Sequence, residues 1–325
     1  MPRSRTLRYL LIVIALAALA FALGPRAALL DEPAALVIGE DLDAYLSRAE
    51  ARFGDVTPGT EKRVVWADAD QREPTPVALV YLHGFSATRQ ETAPLTETVA
   101  ERLGANVYYA RLSGHGRGSA AMGEARAGDW LNDTREALAI GQVLGERVIV
   151  VGVSTGATLA TWAAAEQPET VDALVLISPN YAVASPLAGI LTWPWGRQIA
   201  KLIAGRDYSF EPLNEPHGRY WTTAYPIDAT VELMALLDYV NALPGGAVVQ
   251  PVFYVRSNRD IVIDPERADR RVAAMPNPAN RRLVVTDTED PYGHVIAGDI
   301  LSPGTTDAVA GAIVGFIDDV LPATN

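Results

Sequence analysis

The chain has 325 residues, enough for one large α/β domain with an insertion or for two modest domains. Its composition, 49% hydrophobic and 20% charged, fits a globular core and excludes a disordered chain. A formal charge of −12 argues against nucleic acid as a partner, and the absence of cysteine excludes disulfides, thiolate metal sites, a cysteine nucleophile and a lipidated cysteine.

Arg3, Arg5 and Arg8 precede an unbroken apolar run from Tyr9 to Leu23. A basic segment followed by an apolar one reads as an export signal or an anchor. The run is slightly shorter than the roughly 20 residues a span needs. Ala20-Phe21-Ala22 offers small residues for cleavage, with Gly24-Pro25 just beyond. Whether residues 1–28 are cut or kept stays open. Either way the arginines stay inside and the remaining chain is exported: periplasmic, secreted, or held at the inner membrane by this segment. A buried N-terminal helix is disfavoured, because the run has no polar stripe.

Residues 29–62 read as a linker with a short helix, clearest at Asp41–Leu46. Arg63–Ala67 is an edge strand. Val77–Leu82 is a buried strand ending in His83-Gly84-Phe85. A helix over about Ala93–Leu103 leads to the strand Asn106–Ala110 and the loop Gly114-His115-Gly116. Asp129-Trp130 opens a helix that runs to about Leu144.

Arg147–Val151 is β-branched and apolar, a buried strand. Gly152-Val153-Ser154-Thr155-Gly156 follows, and Ala157–Glu166 favours helix as far as Pro168. A strand, a G-x-S-x-G turn and a helix form the context of a nucleophile elbow. Asp172–Ile177 is another buried strand. Strands alternating with helices predict a mostly parallel sheet covered on both faces.

That pattern breaks at residue 180. Over residues 180–243 no buried strand is expected; helical stretches carry Trp193, Trp195, Trp221 and Tyr225, with three of the six tryptophans. This predicts a helical cap inserted between core segments 63–179 and 244–325. Its aromatics serve either as ordinary cap core or as a wall for an acyl chain. Strands at Pro251–Arg256 and Arg282–Thr286 follow, and a helix over about Thr305–Val320 closes the chain.

A serine hydroxyl needs a base, and the base needs a group to orient it. Asp260 and His294 lie in loops after the last two strands, so both open at the sheet edge that carries Ser154. The order Ser, Asp, His suits this arrangement. Asp264 is a rival acid, but Asp260 sits closer to the strand end, and Asp264 before Pro265 suits a helix N-cap. His83 precedes the elbow strand and would brace its own loop. His115 sits in a glycine-rich turn, and His217 lies in the cap. The four histidines are scattered and no HExxH pattern occurs, so no metal site is expected.

The chain resembles the α/β-hydrolase family, and within it bacterial carboxylesterases and monoacylglycerol lipases. The resemblance rests on His83-Gly84-Phe85, Gly114-His115-Gly116, Asp129-Trp130, Gly152-Val153-Ser154-Thr155-Gly156, Asp260 and Gly293-His294-Val295, in that order. It spans about Val77 to the C-terminus, cap position included. The N-terminal segment and the acidic stretch Asp287–Tyr292 lie outside it. The resemblance supports Asp260 as the acid and implies Phe85 N–H as one oxyanion donor; Thr155, after the nucleophile, supplies the other. It implies a serine hydrolase acting on a small-molecule ester or lipid with an apolar acyl chain, without a cofactor. Thioesterases, amidases and C–C hydrolases use the same triad, whereas dehalogenases and epoxide hydrolases would need an aspartate at Ser154. A non-catalytic exported binding module with this fold is the alternative of another class.

Overall fold

The apolar runs become strands buried on both sides. The computed structural model describes residues 3–39 and 41–322. Two helices come first, α1 (Arg3–Ala22) and α2 (Leu42–Glu50). Strands β1 (Arg63–Val65) and β2 (Thr75–Leu82) follow, then α3 (Leu95–Leu103) and β3 (Asn106–Tyr109). Helices α4 (Ser119–Glu124) and α5 (Ala127–Leu144) lead to β4 (Gly145–Val153), α6 (Thr155–Glu166) and β5 (Ala173–Ile177). The inserted segment holds α7 (Gly196–Ala204), β6 (Asp207–Ser209), α8 (Glu215–Tyr220), β7 (Ala224–Pro226) and α9 (Ile227–Asn241). The chain ends with β8 (Val252–Ser257), α10 (Pro265–Ala273), β9 (Arg281–Val285) and α11 (Thr306–Val320).

Seven strands form one sheet in the order β1-β3-β2-β4-β5-β8-β9. Only β1 runs antiparallel to its neighbour, at the edge. Side chains alternate between faces along each strand. Ala78, Val80, Leu82, Val148, Val150, Leu174 and Leu176 pack with Trp130, Leu138, Leu159 and Trp162 of α5 and α6. Leu79, Tyr81, Ile149, Val151, Val175 and Ile177 pack with Val99 of α3 and Ile313 and Phe316 of α11. Each fully buried large apolar side chain contributes about 1.5–3 kcal/mol of transfer free energy. Both faces are covered, which is why these strands read as continuous apolar runs.

Two local differences from the sequence reading have physical causes. Helix α5 begins at Ala127, two residues early, because Asp129 reaches back to the Arg126 N–H at 2.8 Å. Within residues 180–243 helices α7, α8 and α9 form, but Tyr225, expected in a helical stretch, lies in β7, which pairs with β6 as an antiparallel ribbon, and Trp193, Trp195 and Trp221 sit at helix ends rather than within helices. Three-residue strands holding Asp207, Ser209 and Pro226 carry no strand signal. Helix α9 is also part of the main core: Leu233, Leu236, Leu237 and Val240 pack with α5 and α6.

The described part of α1 is exposed on every face. Among the described residues no helix is long and apolar enough to cross a membrane. The end of α1 nevertheless meets the inserted segment. The Trp195 indole N–H donates to Ala20 O at 3.1 Å, and its backbone N–H donates to Pro25 O at 2.8 Å. The chain then runs along α5, held by Arg135 on Asp31 at 2.6 Å and by Asn132 on Glu32 O and the Ala34 N–H.

Candidate active site

Strand β4 ends with Gly152 opposite Leu82 of β2 and Val153 opposite Ile177 of β5, so Ser154 stands just past its C-terminal end. Ser154 has φ 53° and ψ −114°, a region that costs a non-glycine residue about 1–3 kcal/mol. Backbone bonds on both sides hold it there. Its N–H donates to Ile177 O at 2.9 Å, and its carbonyl accepts the N–H groups of Ala157 and Asn180 at 3.1 Å each. The flanking glycines are a steric requirement. A Cβ on Gly156 would lie 1.9 Å from Leu82 O, and one on Gly152 would lie 2.5 Å from Gly156 O. Helix α6 starts at the next residue, so its positive N-terminal end underlies the Ser154 side chain.

The loop after β2 lies directly against the serine. A Cβ on Gly84 would lie 3.2 Å from Ser154 Cβ. His83 braces this loop. The Leu112 N–H donates to Nε2 at 3.0 Å, so the ring carries its proton on Nδ1 and donates it to Gly84 O at 2.9 Å. Burial, and then the neighbouring His115, keep His83 neutral by pushing its pKa well below the ordinary value. Because its C=O is gripped, the Gly84–Phe85 peptide plane is fixed, and with it the direction of the Phe85 N–H. Among the described residues the N–H groups of Phe85 and Thr155 donate no hydrogen bond, which is unusual for backbone near a core. His115 donates to Ser113 O at 3.1 Å, and burial lowers its pKa to about 4, consistent with a structural role in its turn.

Loops after β8 and β9 bring Asp260 and His294 together. His294 Nδ1 donates to Asp260 Oδ2 at 2.8 Å. Asp260 Oδ1 accepts the N–H groups of Val262 and Ile263, at 2.9 and 3.1 Å, so both carboxylate oxygens are aimed by their bonds. Asp264 is spent elsewhere: it caps α10 through the Arg267 N–H at 3.0 Å. Gly293, at φ +66°, lets the two loops touch; a Cβ there would lie 2.6 Å from Arg259 O. Ser178 Oγ donates to His294 O at 2.7 Å and ties the histidine to the loop after β5, next to Ile177. Burial alone would lower the His294 pKa. The Asp260 charge and hydrogen bond, followed by Asp290, outweigh it and hold that pKa above the ordinary value. Among the described residues the Ser154 hydroxyl holds no hydrogen bond; such contacts are often loose before substrate binds.

Two of these residues, Asp290 and Ser178, were not singled out in the sequence. Asp290 is buried, and its carboxylate accepts the N–H groups of Tyr292, His294 and Val295 at 2.8–3.0 Å, shaping the histidine loop. The acidic stretch around it was the available sign. Ser178 acts through a partner distant in sequence.

The inserted segment adds a chain of aromatic rings. Phe85 packs edge-on against Tyr225 at 5.3 Å. Tyr225 meets Tyr208, then Phe210, His217 and Trp221, with centroid separations of 4.6–6.5 Å. The Thr222 N–H then returns to Ser86 O at 2.7 Å. Tyr225 and Trp221 thus adjoin the Phe85 loop, whereas Trp193 and Trp195 stand exposed, with Trp195 against the N-terminal segment. A cavity of about 540 Å³ lies between α2 and β1 and touches none of these groups. A smaller one, about 270 Å³, borders Trp221, Thr222, Gly116 and Ser119. Chemistry rather than cavity size locates the site, since neither cavity includes Ser154. Among the described residues no cluster of His, Asp or Glu could hold a metal ion.

A mostly parallel sheet with a serine elbow and an Asp–His pair at its C-terminal edge defines an α/β hydrolase. Residues 74–288 match the family model described as serine aminopeptidase, S33, and the chain belongs to that serine hydrolase family. It is 26% identical over 195 residues to a thermostable monoacylglycerol lipase of Bacillus sp. (strain H-257), covering 60% of this chain and 74% of that protein. Among solved structures, that of the metagenome-derived lipolytic enzymes LipS and LipT superposes with a TM-score of 0.68 at 22% identity, over 81% of this chain and 99% of that one. A soluble variant of monoglyceride lipase from Saccharomyces cerevisiae, in complex with a substrate analogue, gives 0.61 at 13% identity, over 82% and 98%. The structural likenesses establish the fold.

Proposed function

We propose that this protein is an exported serine hydrolase that cleaves carboxylic esters with an apolar acyl chain, monoacylglycerols among them. The observation that carries the reading is the 2.8 Å Asp260–His294 bond, built at the sheet edge that also presents the strained Ser154. In this reading His294 Nε2 takes the proton of Ser154 as its oxygen attacks the ester carbonyl. The bond from Nδ1 to Asp260 holds the tautomer and stabilises the imidazolium. The N–H groups of Phe85 and Thr155 receive the oxyanion. Losing one such donor costs about 10²–10³ in kcat in other enzymes. His294 then gives its proton to the leaving alkoxide, the acyl group stays on Ser154, and water repeats the sequence to release the acid.

The ring chain from Phe85 to Trp221 favours an apolar acyl group beside the elbow. The monoacylglycerol lipase relative supports a glycerol ester. Asp260 and Asp290 spend their oxygens on His294 and on backbone N–H groups, which disfavours binding of a charged substrate amine. Export and membrane association follow from the basic-then-apolar N-terminus. One experiment tests both parts: p-nitrophenyl esters from acetyl to palmitoyl, with matching thioester and anilide, assayed on cell fractions. We expect ester turnover, favouring longer chains over acetyl, in the periplasmic, extracellular or membrane fraction. Faster thioester or anilide turnover would move the reading to a thioesterase or amidase. Activity confined to the cytosol would remove export.

A further inference from the structure

Glu91 is a carboxyl group that none of these steps employs. It ends the short 3₁₀ turn Arg89–Glu91 and is only 3% exposed. Its Oε1 accepts the Gly84 N–H at 2.6 Å and the Tyr81 hydroxyl at 3.0 Å. A methyl group on Gly84 would lie 2.8 Å from Glu91 Oε2 and 3.2 Å from Ser154 Cβ. The second carboxyl oxygen and the nucleophile therefore flank the same small space. The turn is also fixed to the segment after His294. A Cβ on Gly298 would lie 2.6 Å from Thr92 Cα, and the Asp299 N–H donates to Ala93 O at 2.8 Å.

We propose that Glu91 is a positioning residue for the oxyanion hole, a neutral carboxylic acid that fixes the Gly84–Phe85 turn beside Ser154. The inference rests on the ester-hydrolase reading above. His83 grips the Gly84 carbonyl and Glu91 grips the Gly84 N–H. Held at both ends, Gly84 cannot rotate, and the Phe85 N–H keeps its aim. The acid must be neutral, because an anion in that space would oppose the oxyanion forming in the same loop. Burial raises the Glu91 pKa to about 8, against the pull of the bonds from Gly84 and Tyr81 and of His294.

Several elements packed against the Glu91 turn carry ionisable groups. Tyr81 on β2 is held protonated by burial, and His83 is held neutral. His294 and Asp290 come from the loop after β9, where Asp299 lies exposed. Helix α8 packs on the turn with His217 buried, its pKa lowered by that burial, and with Glu215 and Arg219 exposed. Of these His294 is the one whose charge acts on Glu91. Glu91 is thus protonated at neutral pH and ionises as pH passes about 8.

The test is steady-state kinetics of Glu91→Gln and Glu91→Leu on a p-nitrophenyl ester over about pH 6–10. Gln is an isostere of the neutral acid. E91Q should keep kcat at pH 7 within about threefold and lose the wild-type decline above about pH 8. E91L should lower kcat at least about tenfold with KM little changed, since the oxyanion contact exists only in the transition state. Wild-type kcat in E91L, an E91Q as impaired as E91L, or an unchanged alkaline decline in E91Q would each overturn the proposal. If E91L does not fold, the E91Q profile decides alone. Failure of the hydrolase reading would look different: the wild type would not turn the ester over, or Ser154→Ala would.

Discussion

Asp260 and Asp264 stand four residues apart, carry the same side chain and do different work. Asp260 receives the imidazole of His294; Asp264 receives a backbone N–H at the start of α10. Asp260→Asn offers the imidazole the wrong partner and should lower kcat by orders of magnitude, as loss of the acid does by about 10⁴ in a related triad. Asp264→Asn should keep most activity, because Asn caps a helix about as well as Asp. Both variants need circular dichroism and a melting curve to show that they are folded. An active Asp260→Asn beside a dead Asp264→Asn would exchange the two roles. The distinction was legible in sequence because Pro265 marks a helix start. Glu91 was not legible, since its partner Gly84 is seven residues away with no periodic relation to it.

At the scale of elements, strands β2, β4, β5 and β8 could be read because they are buried on both faces and need unbroken apolar runs. The β6–β7 ribbon could not, since nothing in its composition favours extension over turn. The histidine loop is shaped by a side chain rather than by periodicity: Asp290 replaces the hydrogen bonds that a regular element would give Tyr292, His294 and Val295. Asp290→Ala leaves those donors unsatisfied, at about 1–3 kcal/mol for a buried group. We expect a lower melting temperature together with a kcat at least about tenfold lower. Wild-type kcat in the folded variant would show that His294 is held by Asp260 and Ser178 alone. Ser178, at φ 44° with its hydroxyl on His294 O, escaped the sequence reading for the same reason.

On the scale of the whole molecule, the sheet brings two carboxylates, Asp260 and Asp290, around one imidazole. Their combined pull holds His294 above its ordinary pKa despite burial. The base must be neutral to accept a proton, so kcat/KM should rise with pH through a value above about 6.5, the unperturbed histidine pKa. The linkage to folding has the opposite sense. A raised histidine pKa stabilises the fold most below the unfolded value, and that contribution is lost as pH rises through the folded one. A kcat/KM profile whose acid limb lies below about 6.5 would contradict this electrostatic account. The central claim is narrower, that Ser154 is the nucleophile. Ser154→Ala, with its fold verified by circular dichroism, should lose both turnover of p-nitrophenyl esters and covalent labelling by a fluorophosphonate. Retention of near wild-type turnover by that variant would contradict the assignment on which the account stands.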